Sequence, residues 1–103
     1  IAVIRWENLP RDLDGEMADQ FLRYPDWIIE IMSPEQSVTL VMEKIIFCLQ
    51  QGTELGWLID PQNLQVEIYR SINKTVEILE KPDTLSGEDV LPDFVLSLTR
   101  IWP

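Results

Sequence analysis

The 103-residue chain contains no histidine, which excludes Ser-His and Cys-His nucleophilic machinery and every imidazole metal site. Its single cysteine, Cys48, can form no disulfide within the chain; in an apolar run it reads as a buried, inert thiol, which fits a reducing cytoplasm. The four glycines form no P-loop or other phosphate-cradling pattern. No apolar run approaches the roughly 18 residues of a membrane span, and no signal-peptide pattern opens the chain. Basic residues are scarce too: 8 Lys and Arg against 18 Asp and Glu leave a formal net charge of −10. That balance opposes nonspecific binding to nucleic acid, unless a divalent ion among carboxylates and a local basic rim reverse the field. A solvated acidic surface is the plainer account of it. Internal repeats and low-complexity tracts are absent.

What remains is one globular domain, 46% hydrophobic, with four tryptophans to fill a single core. Its central stretch is Pro25-Asp26-Trp27-Ile28-Ile29-Glu30-Ile31-Met32-Ser33-Pro34. Between the prolines lies a strand of large and β-branched residues, interrupted by Glu30. Alternation puts Trp27, Ile29 and Ile31 on one face and Ile28, Glu30 and Met32 on the other. Strands this apolar are usually covered on both faces, and an unpaired carboxylate inside one would cost several kcal/mol. Glu30 therefore either looks into a polar notch of the sheet, as a merely solvated strand residue does, or has a cation beside it. Asp26, after a proline at a strand entrance, has a ready reading as a capping or turn residue.

On either side the punctuation is regular. Ile1 to Trp6 has strand composition and a polar loop follows from Glu7 to Glu16. Ser33-Pro34-Glu35-Gln36 has the form of a helix start, with Ser33 as N-cap and Pro34 at the first helical position. Val38, Val41, Met42, Ile45, Cys48 and Leu49 then make one apolar stripe that Gly52 stops. Lys44 falls at the edge of that stripe, where it can snorkel to water or reach over the sheet toward Glu30. Leu55 to Ile59 is a strand, and Asp60 to Asn63 supplies turn chemistry, the ordinary role for Asp60. Leu64 to Tyr69 and Thr75 to Leu79 alternate as a meander with one wet face. Lys81 to Asp89 reads as loop, Phe94, Leu96 and Leu98 as a last strand-like segment, and Ile101 and Trp102 as packing back on the core.

The Pro25 to Pro34 stretch, Glu43-Lys44 on the following helix, Gly52, Trp57-Leu58-Ile59-Asp60-Pro61 and Leu91-Pro92 resemble, in order and spacing, the Uma2 family (DUF820) of restriction-endonuclease-like proteins. The resemblance covers nearly the whole chain and implies the PD-(D/E)XK nuclease superfamily. The implied fold is α/β, an α+β mixed sheet: a restriction-endonuclease-like core with a central mixed β-sheet, one main helix after the second strand, and a β-meander. The implied chemistry is DNA hydrolysis with Mg²⁺, or Mn²⁺ in its place, because hard oxygen ligands hold a divalent ion that polarises a phosphate and acidifies water.

Carried over residue by residue, Glu30 matches the metal-binding catalytic glutamate. Met32 stands where the superfamily expects lysine, and Lys44 on the helix matches the displaced lysine. Asp26 is a further candidate metal ligand, although four strand residues, roughly 13 Å, separate it from Glu30. The resemblance also implies an N-terminal helical region and a first catalytic aspartate ahead of Ile1. Neither is among these residues, so the chain is expected to be a fragment, inactive by itself. The competing expectation is a noncatalytic module of the same fold that associates as a homodimer, through a patch such as Trp6, Phe94 and Trp102.

Overall fold

The computed structural model describes residues 1–8 and 24–103, Trp6 in its backbone only. The loop expected from Glu7 to Glu16 falls outside these residues from position 9 onward, as does the side chain of Trp6. β1 (Ala2–Val3) and a 3-10 turn (Trp6–Asn8) precede β2 (Trp27–Ile31), α1 (Val38–Gln50), β3 (Leu55–Asp60), β4 (Gln65–Arg70) and β5 (Thr75–Glu80). The strands form one sheet in the order β1-β2-β3-β4-β5. Its β2–β3 pair is parallel, with α1 as the crossover, and its other pairs are antiparallel, which makes the sheet mixed. A separate hairpin joins β6 (Thr84–Ser86) to β7 (Val95–Ser97).

The alternation of β2 divides the core in two. Trp27 and Ile29 face a cluster with Leu55, Trp57, Ile59, Val66, Ile68, Leu85, Val90, Leu98 and Trp102. Trp27 meets Trp57 edge-on, with ring centroids 4.5 Å apart. Ile28 and Met32 face α1 through Val41, Ile45, Cys48, Leu58 and Tyr69. A helix thus covers one face, while the second hairpin and the C-terminal residues cover the other. At Gly56 an added Cβ would lie 2.6 Å from Ile45 Cγ2, so the missing side chain is what lets α1 settle on β3.

Three local expectations change. Ser33 to Gln36 forms a turn, not the first helical turn: Gln36 N–H donates to Ser33 O at 3.1 Å, and Ser33 N–H donates to Gln36 Oε1 at 2.9 Å. The hydrogen bonds expected of a cap box are spent closing this turn, in which Pro34 supplies a suitable φ. Ser37 is the N-cap, its hydroxyl accepting from Leu40 N–H at 3.3 Å. The strand expected over Ile1 to Trp6 ends at Val3, because the Arg5 N–H donates to the Asp26 carboxylate at 2.8 Å instead of to a neighbouring strand. The stretch read as loop from Lys81 holds β6, whose three residues are too few to show alternation.

The other end of α1 follows the expectation. Gly52 takes φ +115, with its N–H donating to Leu49 O at 3.3 Å and Thr53 N–H to Cys48 O at 3.0 Å, the Schellman closure. Trp102 is buried and donates to Pro82 O at 2.9 Å. Phe94 meets Trp27 edge-on yet remains exposed, so of the two only Trp102 is withdrawn from the patch anticipated. Among the described residues no helix is long and apolar enough to cross a membrane.

Candidate functional site

β1 pairs with β2 only at its start, with Ala2 opposite Ile28 and the Ile1 and Ile29 backbones exchanging hydrogen bonds of 2.7 and 2.8 Å. One residue further on, Glu30 has β3 on one side, with Leu58 as its register partner. On the face that α1 covers, Glu30 and the helix frame a notch. Lys44 lies three residues after Val41 and four before Cys48, both buried, so helical spacing swings it to the edge of the packed stripe and over this notch. Its Nζ stands 2.5 Å from Glu30 Oε1. The glutamate side chain is 18% exposed and the lysine 59%, which leaves the pair open to solvent from the lysine side. At such exposure the pair contributes about 1 kcal/mol or less to stability. Next to it, burial pushes the Cys48 thiol up, with Lys44 opposing and Glu30 adding to the shift. The thiol is thereby kept protonated and unreactive.

The other sequence candidates lie elsewhere. Asp26 sits at the entrance of β2, 2% exposed, and accepts from Arg5 N–H at 2.8 Å and from Asn8 Nδ2 at 3.0 and 3.1 Å. The Arg5 guanidinium stands 3.7 Å away and also binds Glu54, a hydrogen bond that is the main cause of its raised pKa. Asp26 and Glu30 are therefore not brought together. Asp60, buried at the end of β3, accepts from Asn63 N–H at 3.2 Å and from Asn63 Nδ2 at 2.8 Å, an Asx turn that gives it a structural partner.

Two features carry no mark in the sequence. Register runs Glu30, Leu58, Glu67 across three strands, so Glu67 shares the face of Glu30 at two strand spacings, roughly 10 Å. It accepts from the Tyr69 hydroxyl at 3.3 Å, and burial, with the carboxylate's help, pushes that phenol up to about 12. Arg70 holds Glu88 through two bonds of 2.8 Å and Glu77 at 3.0 Å, which raises its already high pKa further. Only the strand alternation of Glu67 and Tyr69 could have placed them on the Glu30 face, and it needed the register.

Magnesium prefers near-octahedral oxygen coordination, with one or two carboxylates supplemented by water and phosphate. Glu30 offers one carboxylate already facing an ammonium group. Among the described residues no group of three Asp, Glu, Cys or His side chains is placed to hold a metal ion. By themselves, these residues do not fit a firmly held divalent ion. What they can do is present an ammonium group, restrained by a carboxylate, at the open end of a strand.

The model of the Uma2 family, described as "Putative restriction endonuclease", matches residues 1–99. Among solved structures, the chain is similar to a protein described as "a putative nuclease belonging to DUF820" from Anabaena variabilis ATCC 29413, with 41% identity and a TM-score of 0.84. The match covers 94% of this chain and 54% of that one, so the chain spans about half the length of this relative. Comparison with curated proteins gives no match.

Proposed function

Because the chain belongs to the Uma2 family and shares the fold of a nuclease-family structure, we propose that the whole protein is an endonuclease-like phosphodiester hydrolase acting on DNA, with Glu30 and Lys44 as its catalytic pair. The observation that carries this reading is the 2.5 Å approach of Lys44 Nζ to Glu30 at a solvent-open notch. An ammonium on a flexible stem is suited to meet a phosphate oxygen as negative charge develops on it. The Glu30 carboxylate restrains that stem and offers an acceptor for a proton from the attacking water. Asp26, committed to Arg5 and Asn8, is left out of the pair. With a net charge of −10, approach of DNA depends on local cations such as Lys44.

The cofactor we propose is Mg²⁺, with Mn²⁺ as a substitute. Among the described residues no group of three ligating side chains gathers around Glu30, so the 103 residues by themselves are expected to be inactive. A titration of plasmid cleavage by the whole protein against Mg²⁺ or Mn²⁺ tests the reading. Cleavage should rise with the ion and disappear in Glu30→Ala and Lys44→Ala; unchanged cleavage in both variants removes the pair from the mechanism.

A second reading is a noncatalytic nuclease-fold module that associates as a homodimer. The net charge of −10 and the lone carboxylate of the notch favour it. Ion-dependent cleavage by the whole protein would end that reading. The one buried thiol, Cys48, supports a cytoplasmic location for either.

A further inference from the structure

The sheet has two edges among the described residues, and they differ. β1 is two residues long among the described residues. β5 is six residues long, carries no proline, and has no strand on its outer side among the described residues. Lys81 N–H donates to Leu64 O at 2.7 Å, in line with the register that puts Gln65 opposite Glu80. Antiparallel pairs alternate, so the backbone groups of Thr75, Glu77 and Leu79 are directed at β4, and those of Val76, Ile78 and Glu80 point outward, free to pair. Val76 and Ile78 lie opposite Tyr69 and Glu67, on the face of α1 but beyond its cover, and are 52% and 58% exposed.

We propose that β5 is a self-association strand: two copies of this chain pair β5 against β5 about a twofold axis at Glu77, joining two five-stranded sheets into one. Twofold symmetry with like faces aligned requires paired residue numbers to have an even sum, and the outward backbone groups require Val76, Ile78 or Glu80 in the hydrogen-bonded pairs. Placing the axis at Glu77 sets Val76 opposite Ile78 of the second copy twice, closing four exposed apolar side chains into one patch. The same register brings Lys74 alongside Glu80 of the second copy at both ends, a complementary charge pair. An axis at Ile78 would instead set Val76 against Glu80 and Glu77 against Leu79. The two Glu77 side chains meet on the opposite face, each beside its own Arg70 at 3.0 Å. The proposal holds for either reading of the Glu30 notch, because β5 is three strands away from it.

Sedimentation of the 103-residue chain across the micromolar range tests this, with cross-linking to fix the register. A mass of twice 12.0 kDa is expected at the upper end, and Ile78→Lys should lose it while the far-ultraviolet circular dichroism stays unchanged. Glu77 faces its own copy in a non-hydrogen-bonded pair about 4.5 Å apart at Cα, within disulfide range, so Glu77→Cys should link covalently on mild oxidation. Ile78→Cys, offset from its copy, should not. A monomer at every concentration overturns the proposal, as does a dimer that survives Ile78→Lys or links through Ile78→Cys in preference to Glu77→Cys. Should Ile78→Lys fail to fold, the two cysteine variants decide the matter.

Discussion

The two ends of β2 carry two carboxylates in contrasting circumstances. Asp26, at the entrance, is 2% exposed and accepts from a backbone N–H and a side-chain amide, with a guanidinium beside it. Glu30, at the exit, leans on one ammonium group that is itself 59% exposed. β1 turns away at the level of Asp26 and spends its donors there, whereas four residues later Glu30 faces α1 and meets Lys44. The difference separates a carboxylate whose bonds hold the fold from one whose bonds leave it available to a ligand. A buried acid with every lone pair engaged has little left for chemistry.

That contrast can be attacked from either end. Asp26→Ala should have the largest effect on stability, about 3 kcal/mol, because it strands the Arg5 N–H, the Asn8 amide and part of the guanidinium's charge at once. Chemical denaturation of the two proteins would measure it, and a loss below about 1 kcal/mol would mean that the entrance of β2 is not held as described. Next comes Gly56→Ala. A Cβ there meets the fully buried Ile45 at 2.6 Å, so α1 must shift, at a cost of about 2 kcal/mol, and carry Lys44 away from Glu30. Thermal unfolding gives the stability, and the Lys44 resonances by NMR report the displacement. Smaller still, Ser37→Ala removes the N-cap of α1 and should cost about 1 kcal/mol, read from the unfolding midpoint in urea.

Much of this arrangement was legible in the sequence, for identifiable reasons. The body of α1 and the strands β2 to β5 show through their apolar runs and periodicity, because each extends over five residues or more. The meeting of Lys44 with Glu30 was legible in part: stripe geometry put the lysine at an edge, where water is the commoner destination, and only the family resemblance favoured the sheet. The helix start was displaced because two serines four residues apart both offer caps, and the bonds of Ser33 and Gln36 close a turn first. β6 was hidden by its length. The Asp26 cluster was beyond reach, since it joins residues 5, 8, 26 and 54 through contacts that no spacing rule predicts.

The most direct measurement sets the two carboxylates against each other: plasmid cleavage by the whole protein carrying Glu30→Gln or Asp26→Asn, assayed with Mg²⁺ below both unfolding midpoints. Glu30→Gln should abolish cleavage and leave the midpoint within a few degrees of the parent, since it gives up an exposed pair worth about 1 kcal/mol at most. Asp26→Asn should keep cleavage and lower the midpoint. Cleavage that survives Glu30→Gln and is lost with Asp26→Asn in a folded protein would contradict the account, placing the chemistry at the closed end of the strand.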